Sequence, residues 1–367
     1  MQTIRSISLI MCIVLLTVVV RAETTDHSDI RKTAQKAARE GNWNDAFQLY
    51  QRLCLKVEND PKQIGSDLIQ AWQCLQNLGR IHELDDFREK TIQRHKENWR
   101  LLQAAAESYS QNTHWGYLVA GKFHRGSHRG GGKYVNAIQR DRVRALQLMN
   151  RAFELTSNEL SKKDIANFYL AFAGQVSQYR IHNQAWRLQY LTDLTTLPDY
   201  ETGHGYDYGR RSLGAAVDEE GQPIFHKIPS SFESAKSDGE RWRWLLENTV
   251  KLNAELDSHV KHLFASYLHQ QFGVQTLASR TPYVTRHISR LNPDSIQEEL
   301  SPYEVHTLTD KETIAKLAIG VRRFSFPDEF NYIRIFKEII SSPDKGYRGE
   351  AVRSLAQIYE NRPANIV

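Results

Sequence analysis

The stretch His124-Arg125-Gly126-Ser127-His128-Arg129-Gly130-Gly131-Gly132-Lys133 combines the two ingredients of an anion site. Glycines expose backbone N–H groups, and lysine or arginine adds charge. The Walker pattern would put a glycine at position 127 and a serine or threonine at 134, where this chain has Ser127 and Tyr134. The Walker reading therefore fails, and an anion contact stays open. Two readings stand: a loop that offers Arg125, His128, Arg129 and Lys133 to an acidic partner, or a plain solvated loop.

Histidine, nucleophile and carboxylate chemistry find less. His82-Glu83 has no second histidine at zinc-protease spacing, and His259, His262 and His269 share part of one helical face without a cysteine or carboxylate to complete a site. They read as surface residues, and neither metal nor cofactor is expected. There is no Gly-x-Ser-x-Gly elbow, and no cysteine has a catalytic setting. Asp199, Glu201 and Asp207 lie in a Gly/Tyr-rich segment. Helical toroids that cleave polysaccharides carry acid pairs on such segments, but acids there also cap helices or face water. In Arg241-Trp242-Arg243-Trp244 the rings and guanidiniums could stack on a ligand. A helix starting at Ser237 or Asp238 would instead use the tryptophans as core anchors and the arginines as flanking stems.

The elements that would position these residues are mostly helical. Of 367 residues, 40% are apolar and 25% charged, which fits a folded chain with an ample core and excludes a disordered or polytopic membrane protein. The net charge of +5 falls to about +3 once Arg5 and Arg21 are set aside, too little to argue for nucleic acid. Those arginines flank Ile7–Val20, an uncharged run too short to span a bilayer, and Val20-Arg21-Ala22 offers a cleavage site. Residues 1–22 thus read as a secretory signal peptide, which implies a periplasmic or extracellular chain without stable membrane insertion after cleavage near Ala22. An uncleaved N-terminal anchor is the rival. Three cysteines exclude a disulfide-dense scaffold; Cys54 and Cys74, on neighbouring helices, are either bonded or buried as small apolar residues.

Residues 23–194 read as helix pairs. Ile30, Ala34, Ala37 and Ala38 form one face, Gly41-Asn42-Trp43 a turn, and Ala46, Phe47, Leu49, Tyr50 and Leu53 a second face, closed by Pro61. Gly41, Trp43, Ala46, Tyr50 and Pro61 have the spacing of a tetratricopeptide repeat, whose exposed face must be covered by neighbours. Weaker pairs follow to Leu194, with a Gly/basic insertion at 111–139. Residues 195–238 form a second insertion, in which Ala215-Ala216-Val217 and Ile224-Phe225 flank Asp218-Glu219-Glu220-Gly221 as a small β-hairpin. Residues 239–367 return to helical repeats, including a helix over Lys311–Arg322. The predicted fold is all-α, an α-solenoid of tetratricopeptide-like pairs with two loop insertions. No polar capping helix follows Tyr359, so either neighbouring helices cover that end or a longer polypeptide continues.

Several strings then become informative together. Arg140–Met149 (RDRVRALQLM), Trp186–Gln189 (WRLQ) through Leu197–Glu201 (LPDYE), and Asp238–Trp244 (DGERWRW) resemble the N-terminal region of bacterial α2-macroglobulin-family proteins, particularly the large planctomycete type. Phe326–Asn331 (FPDEFN) and Ile358–Arg362 (IYENR) are similar too. The resemblance implies a secreted relative of protease traps, in which a cut bait segment lets the body collapse around the protease. This chain has no Cys-x-Glu-Gln thioester motif and no β-sandwich series, so no functional residue carries over. The expectation is a non-enzymatic exported module for protein–protein contact, with a protease or the rest of such a polypeptide as partner. A free-standing peptide-binding scaffold is the alternative, and a polysaccharide-active toroid comes third.

Overall fold

The computed structural model describes residues 27–56, 58–180, 182–203, 214–274 and 307–362. Residues 1–22, which the sequence reads as a signal peptide, Asp207, the proline-containing connection with Pro282, Pro293 and Pro302, and the last five residues lie outside them. The chain divides into two compact units, Met1–Asn158 with Leu194–Gly205, and Glu159–Asp193 with Tyr206–Val367.

The first unit is built of helices that pack mostly on near neighbours in the chain. α1 occupies 27–39, then come α2 (Trp43–Leu55), α3 (Ile64–Asn77), α4 (Leu84–Arg94), α5 (Trp99–Ser110) and α6 (Ile138–Leu155). α2 packs on α3, α3 on α5, and α5 on α6, with α4 to one side of this main row. Gly41 turns the chain between α1 and α2 at φ 79°, a region in which residues with a Cβ are strained. Ala46 is completely buried, Tyr50 nearly so, Trp43 half-buried, and Pro61 sits exposed ahead of α3. A polar clamp ties α1 to α3: Arg31 pairs with the buried carboxylate of Asp67 at 2.9 Å, and Asn59 donates to Asp67 and to the Leu53 carbonyl. Cys54 and Cys74 are buried free thiols, so no disulfide joins them. Burial pushes both thiols up, Cys54 the further.

The Gly/basic insertion is not a loop. It folds as β1 (Trp115–Val119), β2 (Lys122–Arg125) and β3 (Lys133–Asn136), and β4 (Glu201–Thr202) joins from the distant acidic segment. The sheet is antiparallel in the order β2-β1-β3-β4. β1 and β2 are joined by Ala120 and Gly121, both at positive φ (48° and 79°), the geometry of a tight hairpin that matches the twist of its strands.

The second unit pairs α7 (Lys162–Ser177) with α8 (Asp238–Leu252), α9 (Asp257–Phe272) with α10 (Tyr332–Ser341), and α10 with α11 (Arg348–Asn361). Between α7 and α8 a 3₁₀ segment, His182–Gln189, stands where a helix to Leu194 is predicted. α8 starts as its sequence directs. Ser237 accepts from the Glu240 N–H, and Glu240 reaches back to the Lys236 N–H, satisfying donors that a helix start leaves open. The turn at 218–222 is present as a reversal, with Val217 bridging Pro223 and the Asp218 N–H on the Gln222 carbonyl.

One predicted helix is a hairpin. Residues Lys311–Arg322 contribute to β5 (Glu312–Leu317) and β6 (Gly320–Ser325), antiparallel partners. Thr313 and Ile314 are β-branched, and Gly320 at φ 116° breaks any helix there. The buried Thr313 hydroxyl donates to the Phe272 carbonyl at the end of α9, and Ala215 bridges Leu317. The architecture is predominantly helical, with adjacent helix pairs and two small sheets, rather than uninterrupted helix.

Candidate interaction site

The small sheet of the first unit has two chemically different faces, because successive strand residues point to opposite sides. Gly116, Phe123, Arg125 and Val135 share one face, and Arg125 and Val135 are buried. Arg125 is the anchor. Its guanidinium reaches Asp141 on α6 at 2.7 Å, Asp85 on α4 at 3.0 Å and the Thr113 carbonyl at 2.6 Å. His114 adds a second contact to Asp141 at 2.8 Å. Burial alone would raise the Asp141 carboxyl, but the Arg125 charge and the His114 contact hold it below its usual range. Burial likewise works against the Arg125 charge, and the two aspartates more than restore it. Arg125 is thus enclosed between helices and sheet. Its assignment to a partner-contact loop is corrected here: no partner can reach it.

The opposite face is open and aromatic. Trp115 and Tyr117 on β1, His124 on β2 and Tyr134 on β3 share it by alternation and register. Trp115 and Tyr134 lie nearly parallel with centroids 6.2 Å apart, and Tyr117 meets Tyr134 edge-on at 5.5 Å. His128 from the glycine loop continues the row, 6.3 Å from Tyr117 and 4.7 Å from His124. All five rings are half-buried. Arg129, next to His128 in the chain, is exposed and without an ion pair among the described residues; Lys133 is equally exposed but alternates to the face of Gly116 and Val135, and Lys122 is already matched by Asp86 at 3.3 Å. Of the four loop residues singled out in the sequence, His128, Arg129 and Lys133 keep an accessible position and Arg125 does not.

Glycine is required where this sheet is tightest. A Cβ at Gly116 would lie 2.2 Å from the His124 carbonyl oxygen, and one at Gly126 would enter the Ile81 side chain. The glycines of the basic stretch thus serve close packing and turns as well as exposing N–H groups.

The other candidates are placed as follows. Asp199 and Glu201 are exposed, one before β4 and one on it. Trp242 is buried against Tyr267 and Phe264, and Trp244 lies beside Tyr169 and Phe232, so both serve the core. The three helix-face histidines are not surface residues but seam residues. His259 stacks on Tyr347 at 4.6 Å, His262 lies between Tyr347 and Phe336, and His269 faces Tyr332. Burial lowers all three imidazoles. Among the described residues no group of histidine, cysteine and carboxylates is arranged to hold a metal, and no helix is long and apolar enough to cross a membrane.

Sequence reasoning missed the aromatic row. The signal was present in Trp115-Gly116-Tyr117-Leu118-Val119, a β-rich run followed by a turn pair. No family model matches the chain, no curated protein is detectably similar to it, and no solved structure matches its fold.

Proposed function

We propose that this chain is a non-catalytic, exported helical-repeat module whose sheet face binds an acidic segment of a partner protein. The single observation behind this reading is the row of half-exposed rings that ends at His128, followed in the chain by the exposed, unneutralised Arg129. Aromatic rings with an arginine at their edge are the residue types that carry most binding energy at protein interfaces. Cations without internal partners favour an acidic counterpart through attraction and faster encounter. The helix pairs supply a rigid frame, and the tetratricopeptide-like spacing of Gly41, Trp43, Ala46, Tyr50 and Pro61 supports a repeat origin.

The resemblance to the front of α2-macroglobulin-like protease inhibitors supplies the partner class: the remainder of such a polypeptide, or the protease it captures. Reading the DNA beyond the Val367 codon for β-sandwich repeats, and co-purifying their product with this chain, tests the proposal. Recovery with the wild type and loss of about tenfold or more in affinity for Tyr117→Ala/Arg129→Glu is the expected result. Equal recovery by both would remove the sheet face from the reading.

A further inference from the structure

The second unit contains a groove of about 270 Å³ between α8, α9 and α10. Its floor is apolar: Leu246, Val250, Val260, Phe264 and Ile335. Its wall carries Arg243, whose side chain is only 9% exposed. The guanidinium carbon stands over the Phe264 ring, 3.7 Å from its centroid, and one N–H goes to Glu329 at 2.6 Å. Nε is buried without an acceptor, and Nη1 makes no hydrogen bond among the described residues. A buried guanidinium with most of its donor fan unused is costly unless something accepts from it. Burial accordingly lowers Arg243 below the usual arginine range, and Glu329, itself half-exposed, restores only part of the loss.

We propose that this groove binds the C-terminal residue of a peptide, with the free α-carboxylate on Arg243 and an apolar side chain on the Leu246–Phe264 floor. The volume suits one leucine-sized residue with its backbone. With Nε closed off and one Nη2 N–H spent on Glu329, the carboxylate accepts from Nη1, a charge-assisted contact to a single nitrogen. The rim selects the rest of the ligand. It holds five carboxylates, Glu247, Asp257, Asp328, Glu329 and Glu338, against three cations, Arg243, Lys261 and Arg334. Because Glu247 is matched by Lys251 outside the groove at 3.4 Å, the remaining excess is small: it opposes a phosphate dianion more than a single carboxylate and favours lysine or arginine upstream of the terminal residue.

The test is calorimetric titration of the full chain at low salt with Lys-Lys-Gly-Leu, ending in a free carboxylate or as its amide. The expected result is micromolar binding of the acid and an affinity about tenfold or more lower for the amide. Arg243→Gln should erase the difference. Because that change also strips Glu329 of its partner, Val250→Arg serves as the second variant: it fills the floor without touching Arg243 and should abolish binding while the thermal unfolding midpoint is kept. Equal affinity for acid and amide, no binding of either, or undiminished binding by Val250→Arg would overturn the proposal.

Discussion

Arg125 shows how a residue's chemistry is decided by what surrounds it. Its three carboxylate and carbonyl contacts make it a structural rivet, and its removal would leave Asp141 buried beside only His114. Arg125→Ala is expected to cost about 3–5 kcal/mol in urea unfolding, because a broken buried pair strands a charge. Ala120 errs in the opposite direction. It adopts φ 48°, a left-handed conformation that costs a residue with a Cβ roughly 1–2 kcal/mol. Ala120→Asn should therefore raise stability by up to about 1 kcal/mol, read from the same unfolding curves.

His226 gives the molecule a pH dependence at the same scale. Its ring lies where a Cβ on Gly239 would be, 2.3 Å away, against the first turn of α8. Burial, with the Arg243 charge adding to it and Asp238 opposing, lowers this imidazole to about 4. An unfolded histidine titrates near 6.5, so between those values the unfolded chain holds more protons and stability falls as pH drops. The loss should reach about 3 kcal/mol below pH 4, with the slope centred between pH 6.5 and 4. Denaturant midpoints measured across that range check it, and His226→Phe should flatten the slope.

At the scale of elements, the helices were legible because their signals are local. Ser237 caps α8, Asn98 caps α5, and Gly41 turns α1 into α2, each within a few residues of what it shapes. The hairpin β5–β6 was misread because Thr313, Ile314, Ala315 and Leu317 form a short apolar run, which periodicity alone does not separate from buried helix. What fixes it as a strand lies far off, in the Phe272 carbonyl and the Ala215 backbone. Gly214 sits at that junction at φ 86°, and a Cβ there would come within 2.5 Å of the Leu317 backbone. Gly214→Ala is thus expected to cost about 1–3 kcal/mol, measurable by chemical unfolding. The burial of Arg125 was illegible for the same reason: its partners Asp85 and Asp141 stand 40 and 16 residues away.

At the scale of the whole molecule, the two units differ in what they offer. The first presents an aromatic, cationic sheet face; the second encloses an apolar groove with an acidic rim and a single under-used guanidinium. Opposite charge preferences in one chain suit a molecule that engages two different ligands rather than one extended surface. Salt should reveal this: raising ionic strength weakens a contact at the exposed Arg129 within a Debye length, while a contact at the buried Arg243 is screened far less.

The return of the chain from the second unit to lay down β4 on β3 makes the first unit discontinuous in sequence. During synthesis the polypeptide emerges past α7 before the Glu201–Thr202 strand exists, so the outer side of β3 stays unpaired for that interval. A product stopped at Asn158 would carry that bare strand edge permanently. Such an edge is a template for sticking to its own kind. A fragment ending at Asn158 should therefore scatter light and sediment heavily, whereas supplying the missing strand as a peptide spanning 194–203 should suppress it.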